Sequence, residues 1–564
     1  MKKHITRLLF AALLLLALCI GASAAGTSGK CGPSAYWSFD SSTGTLTISG
    51  SGAMNDYEYG DYPWMDYRDS IQTIVIGDQI TQIGRYAFTG TACSTIKFGK
   101  NVRSIGERAF LECRNLNGDL TLPDSVQTIG AGAFQGCEKL SGDLTIPDSV
   151  VEIGEGAFRD CKNLNGTLTL GKNLRTIGKE AFSGCAFTGS LTIPEGVTEI
   201  ADSAFGAGIP LKKYGMFTGT LTLPSTLKTI GASAFSYADF SGELLIPDGV
   251  TSIGANAFEE CDGFGGTLSL PDSVKTVGEW AFYLCKGFTG LKLSAGLTKI
   301  EKLSFAHMYG LKTEVVIPEG VTEIGESAFQ CSHMPSVRFP STLKKIGKEA
   351  FYFSLNCKIA FPDGLEVIED EAFALCNVKS AVILPASIKS IGKKAFDSDW
   401  SYGKHNDIPL GAYFLGAAPQ LVGTGNANCS FPSDWTLNYL PGTSGWMGDT
   451  YEGYKIVPWD GETRWDNLYT DDFGYRDNKW NKIETSWSVN MDTGKITLTD
   501  DLNEGCAVAV SYDADGRVTS IGVLRTKTDF VVLNLQDTCR LFLLNASSAP
   551  RLNTPVTIND YLPT

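Results

Sequence analysis

The feature that most limits what this chain can fold into is a phenylalanine that returns at nearly constant distance. It stands at 88, 110, 134, 158, 182, 205, 235, 258, 282, 305, 329, 351, 373 and 396. Twelve of the 13 intervals between these 14 copies are 22–24 residues, and the remaining one is 30. Many copies belong to a longer pattern in which Ile-Gly precedes Ala-Phe, as in Ile129-Gly130 with Ala133-Phe134 and Ile391-Gly392 with Ala395-Phe396. A fixed period of this length belongs to arrays whose units bury their apolar sides only against one another.

One unit, residues 144–166, shows how the period maps onto a coil. Leu144-Thr145-Ile146 alternates apolar and polar, which predicts a short strand. Pro147 ends it, since proline has no ladder donor. Val150 and Ile153 turn inward on the opposite side. The stretch from Glu155 to Cys161 suits a short helical turn with Ala157, Phe158 and Cys161 on one face, and Gly166 lets the chain bend into the next strand. Stacking buries about 1.5–3 kcal/mol of apolar free energy per large side chain. The expectation is an α/β-type repeat solenoid: a right-handed leucine-rich array with short parallel strands, followed by a small all-β C-terminal domain.

Fifteen cysteines would ordinarily suggest disulfides in an exported chain. Here Cys113, Cys137, Cys161, Cys185, Cys261, Cys285 and Cys376 each lie three residues after a motif phenylalanine. That places them in one internal column, where a thiol serves as a small core residue. Buried reduced thiols are the favoured reading, ahead of a disulfide ladder. A metal site ranks lower still, because no histidine accompanies the column and a spacing near 24 does not suit chelation.

The pattern Leu-Thr-Ile-Pro-Asp-Ser-Val, Ile-Gly, Ala-Phe, Cys, Leu resembles the BspA-type leucine-rich repeats of bacterial surface proteins. The segment ahead of it is similar to the way such arrays begin: Trp37-Ser38-Phe39-Asp40, then Gly44-Thr45-Leu46-Thr47-Ile48, then Pro63-Trp64. The resemblance covers about residues 31–400. It implies a secreted or cell-surface protein, and some members of the family act as adhesins for host proteins or other cells.

The N-terminus agrees with export. Lys2, Lys3 and Arg7 precede a 13-residue apolar run, Leu8 to Ile20, and Ala22-Ser23-Ala24 offers a small-x-small cleavage site. The run is short for a membrane span of about 20 residues, and the rest of the sequence holds no second candidate. The expected division is a signal peptide at 1–24, an N-terminal cap at 25–80, about 14 repeats at 81–400, a Trp/Gly-rich cap and linker at 401–485, and a small β-sandwich-like module at 486–564. In that last segment, Ala507-Val508-Ala509-Val510-Ser511-Tyr512, the acidic turn at Asp513-Ala514-Asp515-Gly516 and Arg517-Val518-Thr519 read as a hairpin. Turn chemistry explains Asp513 and Asp515 better than a calcium loop does.

A ligand has two places to sit on the array. The outward strand positions form a column: Thr121, Thr145, Thr169, Thr192, Thr222, Leu245, Ser269, Lys292, Val316, Arg338, Ala360 and Ile383. The threonines suit a solvated ladder that stabilises the sheet. From Leu245 the column becomes more apolar, and Leu245, Lys292, Val316, Arg338 and Ile383 are candidate partner-binding residues. The 30-residue interval carries an insertion with Tyr214 as a further candidate, although a tolerated loop is the plainer reading. Trp435, Trp446, Trp459, Trp465 and Trp480 read as cap and core, with a sugar-binding surface as the alternative.

The net charge of −15 argues against nucleic acid and anionic membranes as partners. Only four histidines occur, and none sits in a catalytic signature. No nucleotide-binding or zinc-hydrolase pattern is present, and no carboxylate pair stands out. The chain is therefore expected to be no enzyme, to hold no cofactor or metal, and to bind a protein ligand on a host or bacterial surface. A glycan ligand is the alternative.

Overall fold

The computed structural model describes residues 27–206, 216–354, 359–376, 382–397, 411–422, 430–432 and 435–458, and beyond 486 the backbone of several strands. It is a β-solenoid of about 15 coils. Two compact units divide it: Met1–Leu297 with Leu303–Gly310, and Thr298–Lys302 with Leu311–Thr564. The expected signal peptide and the insertion bearing Tyr214 lie outside the described residues.

In the first unit, the coils place short parallel strands on two sides, where they pair in several short sheets. The strand pairs Leu144–Thr145 with Leu168–Thr169 and Leu191–Thr192 with Leu221–Thr222 belong to one side. The triple Gly242–Leu245, Phe264–Ser269 and Gly290–Lys292 continues that pattern. On the other side, Thr128–Ile129, Glu152–Ile153 and Thr176–Ile177 pair in parallel. Register matches repeat position to repeat position, so Ile129, Ile153 and Ile177 fall in line. An antiparallel arrangement of Ser28–Lys30, Ala35–Asp40 and Thr45–Gly50 precedes the first coils, and Thr45–Gly50 pairs in parallel with Thr73–Ile76.

The second unit repeats the design. Lys299–Ile300, Glu323–Ile324, Lys345–Ile346, Val367–Ile368, Ser390–Ile391 and Gln420–Leu421 form one parallel sheet. Parallel pairing also links Val382–Leu384, Gly411–Phe414, Thr436–Tyr439 and Tyr454–Pro458. Coil-like pairing therefore runs on past the last Ala-Phe. Further along, Cys506–Tyr512 pairs antiparallel with Val518–Leu524 and with Thr538–Leu544.

The motif phenylalanines form the core. In the first unit, rings from Trp64 through Phe88, Phe134 and Phe158 to Phe305 stack coil upon coil. Phe134, Phe158 and Phe182 lie 5.3 and 5.4 Å apart, tilted 7° and 2°. Trp64 occupies the phenylalanine position of an early coil, 5.4 Å from Phe88, and its indole N–H donates to the Ala87 carbonyl at 2.9 Å. The long interval does not break the stack, since Phe205 and Phe235 are 5.6 Å apart and nearly parallel. In the second unit Phe329, Phe351, Phe373 and Phe396 stack likewise, and Phe431 continues the column at 5.2 Å. Such offset stacks add to the area term of burial.

The α/β expectation requires correction. The stretch from Glu155 to Cys161 is not helical, and the sole helix among the described residues is one 3-10 turn, Met65–Tyr67. The reason lies in where the amides go. Those of Ala157, Arg159 and Cys161 close local turns onto the carbonyls three residues back. Those of Gly156, Phe158 and Asp160 donate instead to the next coil, at Lys179, Ala181 and Ser183. A helix would direct every one of these amides inward along its own axis. Alternate donation outward keeps the arc non-helical and ties coil to coil.

This arrangement has a backbone signature. The residue two before each motif phenylalanine has a positive φ in all 14 copies, and only Gly132 and Gly156 among them are glycine. The residue two after it is also left-handed wherever it is described, from Gly90 to Leu375. Each non-glycine residue there costs roughly 1–2 kcal/mol. The glycine of Ile-Gly has a different role. A Cβ on Gly154 would lie 2.5 Å from the Ala131 nitrogen, so the residue allows coils to approach closely.

The cysteine column is internal, as expected, and it is also polar. Cys113, Cys137, Cys161, Cys185, Cys261 and Cys285 are free and buried. Each thiol donates to the carbonyl of the preceding coil's motif phenylalanine, as from Cys161 to Phe134 at 3.1 Å and from Cys285 to Phe258 at 3.0 Å. Ser354 takes the same place and donates to Phe329. Burial pushes these thiols well above the ordinary value, as for Cys161 and Cys261, and raises Cys31 to about 12.

These contacts give three expected outcomes. Phe158→Ala should lower the unfolding free energy by about 3–5 kcal/mol in denaturant titration followed by circular dichroism. Ser233, with φ 52°, should gain up to about 1 kcal/mol in Ser233→Gly, the relieved strain less the added chain entropy, whereas Ser233→Val should cost roughly 1–2 kcal/mol or more. The column thiols should resist Ellman's reagent until the chain is unfolded. Because their folded pKa is raised, they stabilise the fold fully below about pH 8.5, the ordinary thiol value. That stability is lost as pH climbs from there towards the folded value, so alkaline titration should lower the melting temperature, and less so in a Cys113→Ser, Cys137→Ser variant.

Candidate protein-binding face

Alternation along each strand fixes which side chains face out. In Leu144–Thr145 the leucine is buried and the threonine exposed, and the same holds in Leu168–Thr169, Leu191–Thr192 and Leu221–Thr222. Thr145 pairs with Thr169, and Thr192 with Thr222. Thr121 is exposed as well. No hydrogen bond joins these hydroxyls among the described residues, so they face solvent and contribute through the strand preference of β-branched side chains.

Leu245 breaks that polar column. Its side chain is 72% exposed, at a position where the preceding strands carry threonine. Leu244 beside it points into the core, at 2%. Leu245 stands opposite Ser269, and Ser269 opposite Lys292, both exposed. The first unit therefore brings Leu245, Ser269 and Lys292 together on one side of three adjacent strands.

The other strand candidates belong to the second unit. Val316, 44% exposed, stands opposite Arg338. Arg338 is itself tied down, its guanidinium 2.7 Å from the Glu314 carboxylate across the coil boundary. Ile383 is only half-exposed; it bridges to Ala360 and pairs with Tyr413, which is 3% exposed. The candidates therefore form two groups, one in each unit, and Ile383 is the least available of them. Tyr214 lies outside the described residues.

The tryptophans expected in the cap are turned inward where they are described. Trp435 and Trp446 are 5% and 8% exposed. Trp435 lies 5.6 Å from Phe431, and the Trp446 indole donates to the Gly416 carbonyl at 3.1 Å. Trp459, Trp465 and Trp480, with Asp513 and Asp515, lie outside the described residues. Among the described residues no group of three or more His, Cys, Asp or Glu could hold a metal ion, and no helix is long and apolar enough to cross a membrane.

Sequence reasoning missed a second outward surface, the arc that carries the left-handed residues. The signal was present: the positions two residues either side of the motif phenylalanine hold Gly132, Gly136 and Gly156 in some coils, but Tyr237, Trp280 and His307 in others.

Comparison with known proteins accords with this architecture. The sequence matches the family described as BspA type leucine rich repeat region, in six copies over stretches that run from residue 62 to residue 402. A leucine-rich repeat protein from Bacteroides ovatus is 22% identical, with 67% of this chain and 93% of that one covered and a TM-score of 0.45. A leucine rich cell surface protein from Faecalibacterium prausnitzii is 27% identical, with 57% and 90% covered and a TM-score of 0.34. The pneumococcal vaccine antigen PcpA is 16% identical, with 71% and 99% covered and a TM-score of 0.35. No curated protein matches. With more than half of its residues matched by the repeat family and its coils stacked as the repeat demands, the chain belongs to the BspA-type leucine-rich repeat proteins.

Proposed function

We propose that this protein is a secreted or surface-held, adhesin-like scaffold that binds a protein partner through its outward strand face and carries out no catalysis. The observation that carries the reading is Leu245, a large apolar side chain 72% exposed in a column that elsewhere in the first unit is built of Thr, Ser and Lys. Exposed apolar surface rimmed by polar residues often marks an interface, and Leu245 stands with Ser269 and Lys292 on one side of three paired strands. Lys292, one strand beyond Ser269, supplies charge, and Val316 opposite Arg338 offers an apolar residue beside a cation on the second unit. The leader-like N-terminus supports export, and family membership supports a binding scaffold. The inward packing of Trp435 and Trp446 leaves the glycan alternative without a platform at those two rings.

The test uses the full mature chain immobilised against biotinylated surface proteins of host epithelial cells and of neighbouring bacteria. Leu245→Asp and Val316→Asp, each checked for an unchanged thermal melt, should cut capture of a partner held by the wild type by about tenfold, as loss of a buried apolar anchor predicts. Capture unchanged in the double variant would remove the strand face from the interaction.

A further inference from the structure

In residues 237–309 the turn arc of the first unit carries a cluster of aromatic side chains. Tyr237 is 42% and Tyr309 41% exposed. The rings of Trp280 and Tyr283 lie 4.6 Å apart at 61°, and Tyr283 lies 5.1 Å from His307 at 80°. His307 reaches Tyr309, with Nδ1 2.5 Å from the phenol oxygen. Backbone bonds between coils set the neighbours: the Tyr237 amide donates to the Glu259 carbonyl, and the Glu260 amide to that of Tyr283. Two carboxylates thus stand between the aromatic residues. Glu259 accepts from the Asn256 amide at 2.8 Å and from the Tyr237 hydroxyl at 3.4 Å.

The backbone makes this placement costly. Tyr237, Trp280 and His307 are left-handed, with φ of 63°, 60° and 61°. Bulky residues are the least suited to that region, and Gly132, Gly136, Gly156 and Gly184 occupy the same places in earlier coils. The same conformation is met by Tyr86, Arg108 and Glu180 in earlier coils, so the strain is common to the arc and what distinguishes this stretch is the ring cluster with its two carboxylates.

The same arc shows what such a ring can hold. Near its start, the guanidinium groups of Arg85 and Arg108 each lie 5.6 Å from the Tyr86 ring centre. There the chain fills the aromatic site with its own cations. Among the described residues no cation of the chain lies over Tyr237 or Trp280, while Glu259 and Glu260 add negative charge beside them; Lys286, near Glu260 and Tyr309, is held by Asp262 at 2.7 Å. A planar guanidinium stacks on an aromatic face and also carries charge to the carboxylates, which a neutral sugar does not.

We propose that Tyr237, Trp280, Tyr283 and Tyr309, with Glu259 and Glu260, form a second binding site that takes an arginine-rich segment of a protein partner. A guanidinium is held over the rings and donates to the two carboxylates. The site stands apart from the strand face of Leu245 and does not depend on it.

The test measures fluorescence anisotropy of labelled hexa-arginine on the full mature chain at about physiological salt, where the Debye length is about 8 Å. Two variants probe the site: Tyr237→Gly with Trp280→Gly, which also relieves the left-handed backbone, and Glu259→Gln with Glu260→Gln. Asp124→Asn with Glu152→Gln removes the same charge elsewhere in the unit. Thermal melts confirm that each variant folds. Both site variants should weaken binding by about tenfold, and the control by less than about twofold. Equal weakening by the control would assign binding to diffuse charge and overturn the proposal, as would absence of binding to the wild type. Maltohexaose or cellohexaose bound at these residues, without competition from hexa-arginine, would overturn it in favour of a glycan site.

Discussion

Every coil of this protein depends on the division of its arc amides between two destinations. Half of the donors around the motif phenylalanine close local turns, and the other half cross to the next coil. A buried amide without a partner costs about as much as a lost hydrogen bond. A coil without a neighbour would leave several such groups open, which is why this sequence makes sense only as an array. Stacked phenylalanines fill the interior, but the crossing amides decide that the coil is a flattened β-turn arc rather than a strand-and-helix unit.

The same division separates the inside of the protein from its display surface. Ala157, Phe158 and Cys161 point inward and leave little room for change. Gly156, Arg159 and Asp160 point outward, and their side chains play no part in the crossing bonds. Substitution at Gly156 or Asp160 trades against backbone strain, and at Arg159 against its ion pair with Glu180 of the next coil. The two candidate sites fall on outward positions of this kind, Leu245 on the strand face and Tyr237 with Trp280 on the arc. Each uses side chains that the fold does not require.

Much of the fold was legible because its signals are periodic. The Ala-Phe column, the short Leu-Thr strands and the internal cysteines all follow from spacing. The arc was misread because Ala157, Phe158 and Cys161 occupy one face under either description, a helical turn or a chain of β-turns. Spacing reports which side chains face together and is silent on which amides remain in the coil. Left-handed backbone at Trp280 or Leu303 leaves no mark in residue type, since both are ordinary helix-compatible residues. Of the candidate sites, Leu245 was legible as an apolar intruder in a threonine column. The half-covered state of Ile383 was not, because it depends on Tyr413, which comes 30 residues later and lies outside the Ala-Phe pattern. Phe431 and Trp435 likewise continue the ring stack without the motif that would announce it.

The thiol column bears on how the chain reaches its native state. Each buried thiol is satisfied by a carbonyl one coil away, so it gains protection only when that coil has docked. Before docking, the same groups are a row of similar nucleophiles, four of them at successive 24-residue intervals from Cys113 to Cys185, able to join in many wrong pairs. Were the chain exported into an oxidising compartment, as proposed, coil stacking would have to outrun sulfur oxidation. Order of events, as much as final energy, then determines whether the molecule is usable.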